Sequence, residues 1–146
     1  MQYGDTDVSG PTYCKAFVEE VESRILVDTG SSVTIISSKF FDKITEKMQK
    51  KPILEQAKYK IQGITGHFER PMGEVKNIPL KFRRNGPIWN LNACVTTTET
   101  ADIILGTNFL IRYQAGLNLA KNQLVLTKRN GTQEKIQLLE KIKLHI

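Results

Sequence analysis

The sequence predicts a mostly β domain with one short helix in its C-terminal half, and three observations support this fold class. Apolar residues occur in short runs rich in Ile, Leu and Val, several of them alternating with polar residues, as is typical of strands. Clusters of Gly, Pro and Asn separate these runs, as turns separate strands. The chain of 146 residues fits one domain that buries its own core.

The chain begins with an arm and a hairpin. Residues 1–12 contain glycine, serine and proline with almost nothing apolar, so we expect a flexible arm. Residues 13–19 and 24–27 predict the two strands of a hairpin, with the turn at residues 20–23. The second strand leads directly into Asp28.

A strand and a short helical turn follow the acid. Residues 33–36 are β-branched throughout, which favours a strand. Ser37 and Ser38 offer an N-cap for a helical turn over residues 39–44, whose apolar side chains we expect in the core. Residues 45–52 are polar and basic, and we interpret them as a mobile connection.

A second hairpin is predicted by residues 59–62 and 67–70, which flank the tip Gly63-Ile64-Thr65-Gly66. A branched apolar side chain at the tip of a hairpin would be uncovered in a lone monomer. A plain surface hairpin and a functional loop that meets another molecule are both consistent with this segment alone.

The second half of the chain predicts more strands and the helix. Residues 73–82 and 88–95 are expected to be strands, with Trp89 in the core and not in a ligand site. A further apolar run ends at Ile104, Leu105 and Gly106. We expect this glycine to let a helix over residues 107–112 begin close to the acid loop.

The end of the chain alternates apolar and polar residues again. Residues 115–119, 122–126 and 135–139 are divided by turn-forming residues. We place the compact domain at residues 13–127 and interpret residues 128–146 as a C-terminal extension, either an extra strand or a short helix.

Asp28 is the main candidate for chemistry. It ends an apolar strand and is followed at once by Thr29 and Gly30, with another apolar run beyond. An Asp-Thr-Gly tripeptide alone is most often a turn. A carboxylate between two buried strands is less ordinary, because burial disfavours its charged form and such acids are usually paired or used.

The acid strand and the later strand-to-glycine motif together resemble those of the retropepsins, the single-domain aspartic proteases of retroviruses and LTR retrotransposons. The glycine-bearing hairpin tip lies between the two motifs, in the order and at roughly the spacing of that family. The resemblance covers about residues 14–127, and the sequence is most similar to the gypsy-type retrotransposon branch.

The resemblance implies a closed β barrel of the acid protease fold, in which the hairpin over residues 59–70 is a flap that closes over substrate. It implies an aspartic endopeptidase, for which Asp28 supplies the catalytic carboxylate and Thr29 and Gly30 hold the acid loop rigid. Only one Asp-Thr-Gly is present, so the expected active site is a two-fold homodimer with one Asp28 from each chain. Asp102 lies ahead of its strand and does not fit the role.

Substrate contacts follow from the same resemblance. Ser31, Ser32 and the flap residues Gly63, Ile64, Thr65 and Gly66 are the expected peptide-binding residues, and Ile104, Leu105 and Gly106 form the structural motif beside the acid. Many viral members have alanine, an acid and a partner arginine where this chain has Ser31, Ser32 and Thr107. Ser31 matches the pepsin type, in which the hydroxyl can bond the carboxylate, and we expect an acidic activity optimum.

Composition limits other functions. The formal net charge of +6 comes from scattered clusters at residues 47–51, 81–84 and 128–129, with few aromatic residues beside them, so we favour solvated loops over a nucleic-acid site. Neither Cys14 nor Cys94 stands in a metal-type spacing, and we expect two buried, reduced thiols. No cofactor, metal or membrane partner is implied, and the expected location is the cytoplasm or a virus-like particle.

The partners implied are a second copy of the chain and a peptide or polyprotein substrate. Three functions stay open beside retroelement polyprotein processing. They are a cellular retropepsin-like protease domain, a non-catalytic dimeric binding module of the same fold, and a basic nucleic-acid-binding barrel.

Overall fold

The computed structural model of the protein describes residues 12–56, 61–62, 68–69 and 71–139, and every structural statement below concerns those residues. They form strands and two helices. In chain order the elements are β1 (Thr12–Val18), β2 (Val21–Val27), β3 (Thr34–Ser37), α1 (Ser38–Lys47), β4 (Ile61–Gln62), β5 (Phe68–Glu69), β6 (Gly73–Leu80), β7 (Trp89–Thr96), β8 (Ile103–Leu105), α2 (Thr107–Arg112), β9 (Gly116–Asn118), β10 (Gln123–Thr127) and β11 (Gln133–Gln137).

The largest sheet has six strands in the order β1-β2-β8-β3-β7-β6. The short strand β8 lies between β2 and β3, parallel to the first and antiparallel to the second. The two edges of the sheet meet at one bridge, where Phe17 and Lys81 exchange backbone hydrogen bonds of 2.7 and 2.9 Å. The predicted mostly β fold is confirmed, and the closure expected of a barrel consists, within the described ranges, of this one bridge.

The first hairpin turns earlier than the sequence suggested. β1 and β2 pair from Thr12 opposite Val27 to Val18 opposite Val21, so residues 21–23 belong to the strand. The turn consists of Glu19 and Glu20, with φ values of 49° and 66°. Two positive φ values suit the tight turns that Asn-Gly usually forms, and two glutamates give no such signal.

Helix α1 is longer than the predicted helical turn over residues 39–44, and the short helix predicted for the C-terminal half is α2. The Ser37 hydroxyl accepts a hydrogen bond from the backbone N–H of Phe40 at 3.1 Å, so the predicted N-cap is present. Phe40 and Ile44, one turn apart, are buried. The helix continues through the polar residues Thr45, Glu46 and Lys47 to its C-cap, Met48, whose half-buried side chain packs against the main core. Helix α2 has the predicted bounds.

Trp89 lies in the core, as predicted. Its side chain is fully buried and its ring packs edge-on against Tyr113, with 5.0 Å between ring centroids. The indole N–H donates to Oε1 of Glu134 at 2.7 Å, and Oε2 of the same carboxylate pairs with Nε of Arg83 at 2.9 Å. The buried Glu134 carboxylate is therefore hydrogen-bonded on both oxygens.

The C-terminal strands form a second, three-stranded sheet in the order β11-β10-β9. Of the segment 128–146, the described part contains β11, whose Glu134 and Ile136 are buried, followed by the buried Leu138. The backbone N–H of Leu139 donates to the carbonyl oxygen of Tyr13 at 2.8 Å. The extension thus adds a strand to the fold. Of the predicted arm at residues 1–12, Thr12 begins β1, and residues 1–11 lie outside the described residues.

Burial makes the Cys14 thiol unreactive. Cys14 lies in β1 with no exposed surface, and this burial raises the pKa of its thiol from 9.0 to about 12. Cys94 in β7 is buried as well. Neither helix of the described chain is long and apolar enough to cross a bilayer.

We expect Cys14 in the native protein to react with iodoacetamide at pH 8 about a thousandfold more slowly than in the urea-unfolded protein, because the thiolate is the reactive form. The thiol loses its proton in the unfolded chain first, so its contribution to stability is complete below pH 9 and is lost as the pH rises toward 12. Peptide-level mass spectrometry measures the labelling at position 14. Equal rates in native and unfolded protein would contradict the assignment.

Candidate active site

Asp28 lies at the centre of the sheet, just beyond the end of β2. Its backbone N–H donates to the carbonyl oxygen of Leu105, the last residue of the neighbouring β8, at 3.0 Å. Its own carbonyl oxygen accepts from the N–H of Ser31 at 3.2 Å, which closes a tight turn. The main chain of the acid is therefore fixed by a second, distant segment of sequence.

The carboxylate is oriented by the glycine of the tripeptide. The backbone N–H of Gly30 donates to Oδ1 of Asp28 at 2.9 Å. A Cβ at position 30 would lie 3.2 Å from the same oxygen, closer than most real Cβ contacts. Glycine lets the N–H approach the carboxylate without crowding it.

The acid loop is more open than the sequence predicted. Asp28 is half-buried, and Thr29 and Gly30 are exposed. The apolar runs on both sides suggested a buried acid, but the loop projects past the ends of its two strands. A carboxylate that solvent reaches is less destabilising than a buried one, so its presence alone does not argue for catalysis.

The predicted hydroxyl contact is absent. Oγ of Ser31 donates to the carbonyl oxygen of Val33 at 2.7 Å. A hydroxyl has one proton, so in this arrangement it cannot also donate to the Asp28 carboxylate. Ser31 stabilises the turn, and the physical reason given above for an acidic optimum is removed. Ser32 is exposed at the same loop.

Gly106 holds the second motif against the acid loop, as predicted. A Cβ at this position would overlap the carbonyl group of Val33 and come within 2.9 Å of the carbonyl oxygen of Ser31. The next residue, Thr107, donates its backbone N–H to that same Ser31 oxygen at 2.8 Å. Ile104 and Leu105 are buried in the strand that leads to this contact.

Two polar residues that sequence reasoning did not select join these segments. The fully buried Thr34 hydroxyl accepts from the N–H of Gly106 at 3.1 Å and donates to Oδ1 of Asn108 at 2.8 Å. Nδ2 of Asn108 donates to the carbonyl oxygen of Asn92 on β7 at 3.0 Å. A lone hydroxyl inside an apolar, β-branched run was the available signal for Thr34.

An apolar cluster separate from the main core lies beside the acid loop. We call it the acid-side cluster; its buried members are Ile35, Ala101 and Ile104, and its half-buried members are Tyr13, Leu26 and Val33. Leu26 precedes Asp28 by two positions, and residues two apart along a strand share a face. The Asp28 carboxylate therefore lies on the same side of the sheet as the acid-side cluster.

Asp102 lies away from the acid loop. Oδ2 of Asp102 accepts from the backbone N–H of Arg24 at 2.8 Å, at the end of β8 remote from Asp28, so it is excluded from the acid loop as predicted.

The predicted flap is described only at its two strands. Strands β4 and β5 pair as its flanks. The flap residues Gly63, Ile64, Thr65 and Gly66 lie outside the described residues.

Within the described ranges, no group of three His, Cys, Asp or Glu side chains could hold a metal ion.

The comparisons with known proteins agree with this geometry. The family model described as aspartyl protease matches residues 15–109. No curated protein matches the chain in sequence.

Solved structures share the fold. The retroviral protease-like domain of Ddi1 from Leishmania major superposes with a TM-score of 0.64 at 19% identity, covering 90% of this chain and 97% of that one. The EIAV protease in complex with the inhibitor HBY-793 superposes with a TM-score of 0.51 at 17% identity, covering 82% of this chain and 100% of that one. The chain therefore belongs to the aspartyl protease family and has the retropepsin-like fold.

Proposed function

We propose that the protein is an aspartic endopeptidase whose active site forms between two copies of the chain. The observation that supports this most directly is the Asp28 carboxylate, placed at the end of the central strands and oriented by the Gly30 N–H at 2.9 Å. Peptide hydrolysis needs a base to deprotonate water and an acid to protonate the carbonyl oxygen or the departing amine. Two adjacent carboxylates that share one proton supply both.

The second carboxylate would come from a second chain. The sequence contains a single Asp-Thr-Gly, and Asp102 is engaged with Arg24 at the other end of β8. Thr29 and Gly30 are exposed next to the half-buried acid, so a two-fold axis through this loop brings like loops together. Bonds between the two loops would hold both carboxylates in place.

Strand β9 supports a dimer on independent grounds. It is an edge strand of the C-terminal sheet, and its three residues are exposed. Leu117 is 48% exposed and Leu119, just beyond the strand, is 81% exposed. An exposed edge strand that carries apolar side chains is a site at which another chain can add. We propose that β9 contributes to the subunit interface.

Substrate would lie extended over the two acid loops, held by main-chain hydrogen bonds with its side chains in alternating pockets. The acid-side cluster offers an apolar surface next to the scissile bond, which favours cleavage between apolar residues. Ser32 and the flap residues would contact the substrate backbone. We propose a retroelement polyprotein as substrate, with the enzyme in the cytoplasm or in virus-like particles.

A cellular protease domain is the second candidate. The observation that favours it is the TM-score of 0.64 with the Leishmania major domain against 0.51 with the viral protease. Cleavage of retroelement polyprotein peptides in preference to peptides from cellular proteins would support polyprotein processing, and the opposite preference would support the cellular alternative.

The test of the proposal is cleavage of a fluorogenic peptide library between about pH 4 and pH 7, over a dilution series of the protein. We expect turnover whose specific rate falls on dilution, because dimers dissociate. Folded protein without turnover at any concentration would favour a non-catalytic binding module. A constant specific rate at dilutions where sedimentation shows dissociated monomers would exclude an active site shared by two chains.

Interface variants give a separate prediction. We expect the double variant Leu117→Asp, Leu119→Asp to weaken dimerisation about a hundredfold, because like charges would replace apolar contacts at a two-fold interface. Sedimentation equilibrium measures the change, and specific activity should recover at high protein concentration. The matched control is Ile53→Asp, which changes another highly exposed apolar side chain outside β9. An unchanged dissociation constant in the double variant would remove β9 from the interface.

A further inference from the structure

Two of the three basic clusters in the sequence meet in space. The clusters at residues 47–51 and 81–84 are far apart in the chain, and the third, at residues 128–129, is separate from both. Strand β6 and helix α1 bring the first two to one end of the large sheet, beside the turn of the first hairpin. The charges that looked scattered in the sequence therefore form one surface.

This surface is concave. It consists of two adjoining clefts of about 600 and 670 Å³ that share Glu19 and Lys47, and we call their union the basic cleft. Its cations come from four segments of the fold. The six cationic side chains are those of Lys47, Lys50, Lys51, Lys76, Lys81 and Arg84.

The cleft also has an apolar floor. Phe17, Pro79 and Ile88 line the first cleft, and the buried Ile78 lines the second. The guanidinium of Arg84 lies 5.0 Å from the centroid of the Phe17 ring, a cation–π distance. A site with cations around an apolar floor suits a ligand that carries negative charge and apolar side chains together.

The position of Lys47 in the last turn of α1 has an ordinary explanation, because a cation there complements the helix dipole. That explanation does not extend to Lys76, Lys81 and Arg84, which come from β6 and the turn after it. The helix dipole therefore does not explain why these three cations line the same cleft as Lys47.

We propose that the basic cleft binds an extended, acidic peptide segment that also carries apolar residues. Six cations face three carboxylates, Glu19, Glu20 and Glu55, so the net charge of the lining is positive. The carboxylates would repel a continuous phosphate backbone, and the floor is mostly aliphatic, whereas single-stranded nucleic acids stack on exposed aromatic rings. These features favour a peptide over RNA or DNA.

The basic cleft is separate from the acid loop. Glu19 and Glu20 precede β2 and Asp28 follows it, so the seven residues of β2 separate them by about 23 Å. A peptide bound here does not occupy the proposed catalytic site. The surface would hold an acidic segment of a partner protein while the acid loop stays accessible.

Fluorescence anisotropy tests the proposal, with the Asp28→Asn variant used throughout so that no peptide is cut. The probe is a labelled peptide of about 12 residues that alternates glutamate with leucine. The comparison ligands are the same peptide with glutamine for glutamate and a single-stranded RNA of equal charge. We expect the acidic peptide to bind, the neutral peptide to bind at least about tenfold more weakly, and added salt to weaken binding.

The variant Lys47→Glu, Arg84→Glu should lower the affinity for the acidic peptide at least about tenfold. The matched control is Lys121→Glu, Arg129→Glu, which makes the same charge change at exposed positions in the turns before and after β10 and should change affinity less than about twofold. Circular dichroism checks that both variants fold. Equal losses in both variants, tighter binding of the RNA, or no binding of the acidic peptide would each overturn the proposal.

Discussion

The variant Asp28→Asn is expected to lose at least about a thousandfold in turnover, because the amide can neither accept a proton from water nor share one with its partner. Its size matches that of the carboxylate, so the fold should persist and the Gly30 N–H retains an acceptor oxygen at position 28. The initial rate on the best peptide from the library measures the effect. A thermal melt within a few degrees of the unchanged protein shows that the loss is chemical.

Mixing distinguishes a shared active site from one contained in a single chain. When a threefold excess of Asp28→Asn is added to active protein, well above the dissociation constant, random re-pairing should reduce activity to about a quarter. An active site within one chain predicts no reduction. Full activity after mixing, with subunit exchange verified by fluorescence energy transfer, would contradict the dyad.

The variant Gly106→Ala is expected to lower the free energy of unfolding by about 3 kcal/mol. The added methyl would overlap the main chain of Val33, and backbone cannot move aside as a flexible side chain can. Displacement of this contact also disturbs the bond between Thr107 and Ser31, which joins α2 to the acid loop. We therefore expect turnover to fall even at temperatures where the variant is folded. Urea unfolding and peptide cleavage measure the two effects.

Gly116→Ala is the matched control for the stability of the dissociated chain, because within one chain a Cβ there meets nothing within 4 Å. We expect a change below about 0.5 kcal/mol. If both variants unfolded at the same urea concentration as the unchanged protein, the close approach of α2 to the acid loop would not be a source of stability.

Most of the strand pattern could be predicted from the sequence, because local alternation and turn residues encode it. The bounds of α2 and the packing role of Gly106 followed from the same kind of signal. The turn at Glu19 and Glu20 could not be located, since left-handed φ values at two glutamates contradict ordinary propensity. The length of α1 was missed because its last three residues, Thr45 to Lys47, are polar and carry no apolar signal that the helix continues.

The position of Asp28 was predictable, but its surroundings were not. Periodicity indicates which strands are apolar, yet it does not determine which of them leaves a loop open to solvent. The network through Thr34 and Asn108 joins positions that are distant in sequence. Such polar pairs leave no periodic pattern, and the same holds for the two basic clusters that meet around the basic cleft.

The bond from Leu139 to Tyr13 has a consequence for how the molecule is made. The chain leaves the ribosome N-terminus first. Strand β1 therefore emerges long before Leu139, which bonds to it. Glu134, the carboxylate that satisfies the buried Trp89 N–H, also emerges late. Contacts between such distant positions slow folding. A nascent chain in which Asp28 has left the ribosome but residue 139 has not therefore cannot complete the fold. Translation thus delays the assembly of the acid loop.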